Sequence, residues 1–282
     1  MSSTNWEPGI SLRMSRLFDK ESGNSVVIAM DHSAVFGALK GLEDAGGALD
    51  TIVAGEPDGV LLPGGAARGF QNRLAGRGAP ALIIALDFPI FFPYPGSAVT
   101  VEEQGVMVSP EEALRLGADM VKILLIFGRE QPSVQARNFA QTAQLVEKCH
   151  SLGLPVMLEP TAWGLRFDPK TAKEAGVLRD MARVAAEFGA DVVKTDYPEN
   201  PREFSLIASA CPVPLLALGG SKKPSEEDLL REVLVLIENG ARGVTFGRNV
   251  LQGRSPERMV RAIRKAVHHR DLEAGLEELR GK

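Results

Sequence analysis

Residues 109–126 have the sequence SPEEALRLGADMVKILLI, which contains one complete unit of the fold. Ser109 suits the N-cap of a helix, Pro110 suits its first position, and two glutamates follow in the first turn. Gly117 stands where such a helix would end in a left-handed C-cap. The apolar run from Met120 does not alternate with polar residues, which is typical of a strand buried on both faces. The stretch therefore predicts a helix that leads directly into a parallel strand.

The same pattern recurs along the chain. Short apolar runs begin at Val26, Gly59, Ala81, Asp119, Leu154, Ala190, Pro212 and Ala241. Helical patterns separate most of these runs, and Gly153, Gly189 and Gly240 each stand at a helix end just before the next run. Eight strands alternating with helices predict a closed (β/α)8 TIM barrel. An open doubly wound sheet is the alternative, but no GxGxxG motif follows the first run.

The whole chain, residues 1–282, is predicted to form one barrel domain of the α/β class, since barrels of this kind need about 250 residues. A charged segment from about His268 predicts one extra C-terminal helix. The segment from Phe88 to Met107 is rich in proline and aromatic residues, which argues against a regular helix. Because it follows the third strand, it would lie over the C-terminal mouth of the barrel, either as a lid or as a contact between subunits.

The composition argues against several classes of partner. The chain is 44% hydrophobic and 24% charged with a net charge of −4, so no basic excess favours nucleic acid or an anionic membrane surface. No apolar window is long enough to span a membrane, and the N-terminus lacks the apolar core of a secretory signal. We expect a cytoplasmic homo-oligomer without nucleic acid or membrane partners. Cys149 and Cys211 form no CxxC motif, so neither a disulfide nor a metal site is expected.

Ionisable residues stand where the predicted strands end, which is where barrels carry their reacting groups. Asp31 and His32 follow the first strand, Lys122 lies in the fourth, Glu159 ends the fifth, and Lys194 lies in the sixth. A lysine inside an apolar strand is unfavourable unless it is paired or loses its proton. Each lysine could therefore be half of a buried salt bridge, for instance between Lys122 and Glu159. Asp31 could take part in catalysis by binding a sugar hydroxyl or moving a proton, or it could simply cap the next helix.

Chemistry on a carbonyl compound is the alternative to a buried salt bridge. A desolvated amine close to a second cation loses its proton more readily and becomes a nucleophile. The iminium that it forms allows an adjacent C–C bond to break, while Glu159 moves the proton. Lys194, Lys122 and Glu159 would thus suffice for Schiff-base chemistry without a metal or another cofactor. A zinc-dependent reaction is disfavoured, because His32 has no second histidine at ligand spacing.

Two glycine-rich turns predict a binding site for a phosphorylated small molecule. Gly219-Gly220-Ser221 follows the seventh strand, and Gly247-Arg248 follows the eighth. The loops after these two strands commonly hold a phosphate in barrels, because they present backbone N–H groups beside a cation. Two ordinary turns are the alternative. We also predict that His32, which follows the first strand, binds the substrate.

These motifs together resemble a known family. VVIAMDHS, SPEEALRLGADMVKI, GADVVKTDYP, ALGGSKKP and GARGVTFGRNV are similar to the archaeal-type, or DhnA-type, class I fructose-bisphosphate aldolases, from about Val26 to Ile263. The resemblance implies a (β/α)8 barrel with the Schiff-base lysine at Lys194. It places that family's first-strand aspartate at Asp31 and its phosphate-binding turns at the two glycine-rich turns.

The stretch after the fifth strand departs from this family. Active members carry a tyrosine acid there, whereas this chain has EPTAWG. VKILLIF and LEP instead resemble tagatose-1,6-bisphosphate and sulfosugar-phosphate aldolases, whose lysine and glutamate fall on Lys122 and Glu159. The resemblance implies a lyase of carbohydrate metabolism that splits a ketose phosphate into a three-carbon ketone, such as dihydroxyacetone phosphate, and an aldehyde. A transaldolase, an acyl-transferring thiolase and an inactive barrel are the alternatives.

Overall fold

The computed structural model describes residues 7–90 and 103–281. Its strands are β1 (Ser25–Ala29), β2 (Gly59–Pro63), β3 (Ala81–Ala85), β4 (Asp87–Ile90), β5 (Glu103–Val106), β6 (Met120–Ile126), β7 (Val156–Thr161), β8 (Val192–Thr195), β9 (Leu215–Leu218) and β10 (Gly243–Phe246). All except β4 and β5 form a closed barrel in chain order, with β10 returning to β1 and every neighbouring pair parallel. The eight predicted strands and the predicted (β/α)8 barrel are confirmed.

Helices stand between the barrel strands and at both ends of the chain. They are α1 (Pro8–Leu17), α2 (Ser33–Phe36), α3 (Ala45–Ala54), α4 (Gly64–Gly69), α5 (Pro110–Arg115), α6 (Pro132–Ser151), α7 (Ala175–Glu187), α8 (Phe204–Ala210), α9 (Glu226–Glu238), α10 (Arg248–Leu251), α11 (Pro256–Arg264) and α12 (Leu272–Arg280). The predicted ends of α5 are confirmed. The Ser109 side chain accepts a hydrogen bond from the N–H of Glu112 at 3.1 Å, and Gly117 has a φ of +87°. None of these helices is long and apolar enough to cross a membrane.

The lower half of the barrel, at the N-terminal ends of its strands, has an apolar interior. Leu61 and Met157 belong to a cluster of buried side chains that fills it. Helix α1 covers this end with Ile10, Met14 and Leu17, which are at most 5% exposed. The sequence analysis did not predict α1, because its few apolar residues have no partner until the barrel above them exists.

Three aspartates lie at this lower end, directly before β2, β6 and β8, and bind backbone N–H groups of neighbouring strands. Their carboxylates accept hydrogen bonds from N–H groups of the neighbouring strands: Asp58 from Val26 at 2.6 Å, Asp119 from Leu82 at 3.0 Å, and Asp191 from Val156 at 2.8 Å. Each also contacts basic side chains: Asp58 contacts Arg264 and His268 at 2.9 Å each, Asp119 contacts Arg16 at 2.7 Å, and Asp191 contacts His150 at 2.9 Å. These carboxylates satisfy backbone donors that the barrel strands leave unpaired.

The described ends of the segment from Phe88 to Met107 form strands and no helix, in agreement with the prediction. Its two ends pair as an antiparallel hairpin of β4 and β5, in which Pro89 faces Gln104. A two-stranded ribbon tolerates proline, because both of its strands are edge strands. Residues 91–102 lie outside the described residues, so the lid and the subunit contact both stay predictions.

The extra C-terminal helix is confirmed, but it begins later than His268. A π-helical turn, Lys265–His269, continues α11, and Arg270 then adopts a left-handed φ of +54°. Helix α12 starts after Asp271, whose side chain accepts a hydrogen bond from the N–H of Ala274 at 2.9 Å. His268 therefore contributes to the lower end of the barrel rather than to the last helix.

Candidate active site

Lys122, Glu159 and Lys194 meet inside the barrel mouth, at the C-terminal ends of the strands. They lie on the consecutive strands β6, β7 and β8 and are 4%, 4% and 6% exposed. One carboxylate oxygen, Glu159 Oε2, lies 3.0 Å from the Nζ atom of each lysine. Each lysine follows an inward-pointing core residue, Met120 or Val192, by two positions, so strand alternation turns it inward as well. The structure thus brings this predicted trio together.

Asp31 and His32 join this cluster from the end of β1. Asp31 Oδ2 lies 3.3 Å from Lys122 Nζ, so two carboxylates share this lysine. His32 Nδ1 lies 3.9 Å from Asp31 Oδ1, and it has no hydrogen-bond partner among the described residues. Helix α2 has no side-chain cap, so the Asp31 carboxylate contacts Lys122 instead of capping this helix.

The neighbouring carboxylates keep Lys122 charged. Burial would lower the pKa of its ammonium, but Glu159, Asp31 and Asp87 outweigh burial and hold this pKa well above its ordinary value. The expectation that one amine of the pair gives up its proton more readily therefore does not apply to Lys122 and concerns Lys194, the predicted nucleophile. The sequence already suggested a pair between Lys122 and Glu159, but the further effects of Asp31 and Asp87 on Lys122 depend on the geometry of the barrel mouth.

The same charges keep two of the carboxylates ionised. Burial raises the pKa of Asp31 and of Glu159, but Lys122 and Lys194 outweigh this effect and hold both below their ordinary values. For His32, burial is the main cause of a lowered pKa, and the charges of Lys194 and Arg248 act in the same direction. Glu159 is thus an ionised base between two amines, and His32 is a neutral ring beside them.

Asp87 is a third acidic side chain at the mouth, and the sequence analysis missed it. It follows β3 and is 3% exposed. Its two carboxylate oxygens accept hydrogen bonds from the N–H of Leu124 at 2.9 and 3.2 Å, and Gln104 Nε2 also donates to Asp87. A signal was present, because an acidic residue just after an apolar strand had already singled out Asp31.

The Asn249 side chain links the two glycine-rich turns by hydrogen bonds. Its Nδ2 donates to the carbonyl groups of Gly219 at 2.6 Å and Ser221 at 3.2 Å, and its Oδ1 accepts from the N–H of Lys223 at 2.7 Å. Asn249 directly follows Arg248 and is fully buried. The predicted turns after β9 and β10 therefore form one continuous part of the mouth. Asn249 was noted only as part of a turn, and its role depends on contacts across 30 residues of sequence.

Glycine is required in both turns by close packing. A side chain at Gly219 would overlap Phe246, and one at Gly247 would overlap the ring of His32. Gly220 has a left-handed φ of +59° and faces open space. The missing side chains let the turns approach each other and let Gly247 approach His32.

Tyr197 and Trp163, which follow β8 and β7, differ in exposure. Tyr197 is 6% exposed, and its hydroxyl donates to Glu232 at 2.9 Å, with Lys173 and Lys223 beside its ring. Trp163 is 46% exposed. Tyr197 therefore fixes the loop after β8.

Acidic and basic side chains at the mouth pair with each other. Within residues 7–90 and 103–281, no group of three or more His, Cys, Asp or Glu residues is placed to hold a metal ion. The two cysteines are both free and buried.

The fold and the lysine cluster together define a class of enzyme, the aldolases. Residues 25–253 match the model of the DeoC/LacD family aldolases, and the chain belongs to this family. It is an enzyme of the class I type, in which a lysine forms a Schiff base. The resemblance noted in the sequence is therefore confirmed.

Individual relatives differ in their reactions. An uncharacterized aldolase of Saccharolobus solfataricus is 30% identical over 260 residues, which are 92% of this chain and 94% of that protein. A 3-hydroxy-5-phosphonooxypentane-2,4-dione thiolase of Escherichia coli is 30% identical over 268 residues, which are 93% of this chain and 84% of that protein. In a solved archaeal fructose-1,6-bisphosphate aldolase, the catalytic lysine is covalently bound to the carbinolamine intermediate of the substrate. It is 28% identical, with a TM-score of 0.76, over 92% of this chain and 99% of that chain.

Proposed function

We propose that this enzyme cleaves and forms a C–C bond in a ketose phosphate through a Schiff base on Lys194. The products of cleavage are a three-carbon ketone, such as dihydroxyacetone phosphate, and an aldehyde. The observation that carries the proposal is the shared carboxylate, since Glu159 Oε2 lies 3.0 Å from the amines of both Lys194 and Lys122. The archaeal relative whose catalytic lysine carries a carbinolamine supports the same type of adduct.

Lys194 is assigned as the nucleophile, because a nucleophilic amine must be unprotonated. Lys122 is held in its charged form by carboxylates on two sides, at 3.0 and 3.3 Å. Lys194 pairs with Glu159, which is the base closest to its proton. Lys122 then has the role of a fixed cation that keeps Glu159 ionised.

The site contains a suitable side chain for each chemical step. Glu159 takes a proton from the Lys194 ammonium, the freed amine adds to the ketone carbonyl, and Glu159 returns that proton to the carbinolamine hydroxyl, which leaves as water and gives the iminium. The iminium accepts the electron pair of the breaking C–C bond and becomes an enamine. Glu159 takes the hydroxyl proton of the fragment that leaves as the aldehyde. Protonation of the enamine and hydrolysis release the ketone, and Asp31 binds substrate hydroxyls across the mouth.

The substrate phosphate is placed against the turns Gly219-Gly220-Ser221 and Gly247-Arg248. Gly220 presents its backbone to open space, and Arg248 supplies a cation close enough to affect the titration of His32. Lys222 is already engaged, because its Nζ donates to the carbonyl of Asn249 at 3.2 Å. Arg248 is therefore the proposed partner of the phosphate.

Acyl transfer to coenzyme A at the same lysine is the second candidate. The relative from Escherichia coli that is named as a thiolase favours it. A transaldolase would also use Lys194 and would need an aldehyde acceptor in place of coenzyme A. The acceptor that enters after the adduct has formed distinguishes these reactions.

Borohydride trapping tests the proposed adduct. The protein is incubated with fructose 1,6-bisphosphate or dihydroxyacetone phosphate and reduced with borohydride, and its intact mass is measured. We expect a covalent adduct in the native protein and none in Lys194→Met. Lys148→Met is the matched control, because Lys148 pairs with Glu111 on the outer helices and is 48% exposed in its side chain; this variant should trap normally.

Three results would decide against the proposal. They are no adduct with any ketose phosphate, an adduct of native yield in Lys194→Met, and no turnover unless coenzyme A is present. Formation of an acyl-coenzyme A from a phosphorylated diketone would establish the thiolase instead. Transfer of a ketone unit between two aldehydes, without release of free ketone, would establish the transaldolase.

A further inference from the structure

We propose that Asp87, with Gln104 behind it, is a positioning residue of this reaction: its negative charge acts on Lys122 together with those of Asp31 and Glu159 and favours the iminium on Lys194. The inference rests on the proposed function, since it requires the Schiff base on Lys194. It adds a third carboxylate to the two that the sequence predicted, and it connects the reacting lysines to the hairpin beside the mouth.

The position of Asp87 follows from strand register. The pairing of β3 with β6 ends at Ala85 and Lys122. Asp87 lies two residues beyond Ala85, so its side chain points to the same face as Ala85, which belongs to the barrel interior. Asp87 and Lys122 therefore approach each other at the edge where β3 leaves the barrel.

The side chains of Asp87 and Gln104 replace the missing strand at this edge. Among residues 7–90 and 103–281, strand β6 has no backbone strand partner on the side of β3 beyond Lys122. Asp87 accepts from the N–H of Leu124 at 2.9 Å, and Gln104 Nε2 donates to the C=O of Leu124 at 2.8 Å and to Asp87. The two side chains thus satisfy a buried donor and a buried acceptor of the backbone.

Hydrogen bonding alone does not require a charge at this position. An asparagine would offer the same carbonyl oxygen to Leu124. A carboxylate that is 3% exposed is unfavourable unless a cation compensates it. Burial raises the pKa of Asp87 to about 6, against an opposing effect of Lys122. The charge is therefore maintained at neutral pH by its interaction with Lys122.

The groups that face Asp87 show what its charge can do. Lys122 faces it from β6, Glu159 from β7, and Gln104 from β5, while the neighbouring helix α2 has the uncharged sequence SAVF. With Lys194 uncharged, Asp31, Asp87 and Glu159 face one ammonium. An iminium on Lys194 adds a second positive charge, so each carboxylate stabilises it.

Hydrogen exchange of dihydroxyacetone phosphate measures this effect without any knowledge of the aldehyde. The enamine that forms from the iminium takes up deuterium at the hydroxymethyl carbon, which proton NMR detects in deuterium oxide. Asp87 takes up a proton near pH 6 and then no longer stabilises the iminium. For the native protein we expect the exchange rate to fall as the pH falls through about 6.

The fall of the exchange rate at low pH is the acid limb of the pH profile. Two substitutions should change this limb in different ways. Asp87→Asn keeps the acceptor for Leu124 but removes the charge, so the plateau rate should fall about tenfold and the limb near pH 6 should disappear. Gln104→Leu removes a donor that lowers the pKa of Asp87, so the limb should move to higher pH while the plateau rate is kept.

Asp119→Asn is the matched control at the other end of the barrel. Asp119 is 6% exposed and also accepts a backbone N–H, that of Leu82 at 3.0 Å. A purely structural role predicts the same result for both aspartates, which is a lower melting temperature with an unchanged rate and limb. We expect this result for Asp119→Asn alone.

The outcomes separate this inference from the proposed function. A native protein that forms no borohydride adduct with dihydroxyacetone phosphate would overturn both. A normal adduct, together with an Asp87→Asn protein that keeps the native plateau rate or merely shifts the limb, would overturn only the role of Asp87. If Asp87→Asn does not fold, Gln104→Leu decides: a limb at higher pH supports the role, and a limb that stays or moves to lower pH refutes it.

Discussion

Buried carboxylates at the two ends of the barrel have different interaction partners. At the lower end, Asp119 accepts a backbone N–H and pairs with Arg16, whose side chain is 65% exposed. At the mouth, Glu159 pairs with Lys122 and Lys194, whose side chains are 5% and 8% exposed. An ion pair with one solvated partner needs little desolvation and contributes modestly to stability. Two buried lysine side chains around one buried carboxylate are costly to desolvate, and such clusters of ionisable groups concentrate at functional sites.

Removal of charge should therefore have different consequences at the two ends. At the lower end it should reduce stability and leave catalysis unchanged. At the mouth it should change the reaction itself.

Glu159→Gln should lower the rate of C–C cleavage about a thousandfold, because the base is lost while the shape of the side chain is kept. Adduct formation should slow less, since Lys194 can still reach the carbonyl. Rapid-quench borohydride trapping measures the adduct, and product assays measure cleavage. Asp191→Asn is the control, because Asp191 is 5% exposed and pairs with His150 at the lower end. Equal losses in both steps of the Glu159→Gln reaction would argue against a base, as would a folded but inactive Asp191→Asn protein.

Arg248→Ala should weaken phosphorylated substrates by about 2 kcal/mol, which is roughly thirtyfold in kcat/KM, since a charged acceptor loses its partner. The comparison with a dephosphorylated sugar isolates this interaction, because that sugar should react equally with both proteins. Arg254→Ala is a suitable control, since Arg254 is 85% exposed in its side chain and pairs with Glu226 nearby. A native enzyme that uses unphosphorylated sugars equally well would disprove the phosphate site.

His150→Gln should have a small, pH-dependent effect on stability and no effect on the reaction. The hydrogen bond to Asp191 raises the pKa of His150 above its ordinary value. This contribution is therefore fully present below the unfolded pKa of about 6.5 and is lost as the pH rises through the folded value. Because the ring is partly solvated, we expect less than about 1 kcal/mol, measured by denaturant unfolding near pH 5.5 and pH 8.5. A difference that grows with pH would contradict this account.

Sequence patterns predicted the barrel because its signals are local. Each strand is a short apolar run, and Gly153, Gly189 and Gly240 precede three of them with left-handed φ values of +64°, +91° and +101°. Helix α1 was not predicted, because its apolar residues have a packing partner only when the barrel has formed. They cover the apolar interior at the N-terminal ends of the strands. The hairpin of β4 and β5 was missed because proline normally argues against a strand.

The site was predictable where one residue carries the signal and unpredictable where several share it. Lys194 and Lys122 stand out because charge in an apolar strand is unusual. The titration of Lys122 depends on the sum of three carboxylates, and one of these, Asp87, reaches it only through the bend after β3. Asn249 shows the same limitation, because its amide contacts a turn 30 residues away. These properties depend on distances between side chains of different strands, which cannot be read from the spacing of residues along one strand.

Peptide mapping of the borohydride-reduced adduct tests the central claim most directly. The native protein, Lys194→Ala and Lys122→Ala are each trapped with dihydroxyacetone phosphate, digested and sequenced by mass spectrometry. We predict a label on Lys194 alone in the native protein, a weaker label on Lys194 in Lys122→Ala, and none in Lys194→Ala. A label on Lys122 in the native protein, or full labelling of Lys194→Ala, would contradict the assignment of the two lysines.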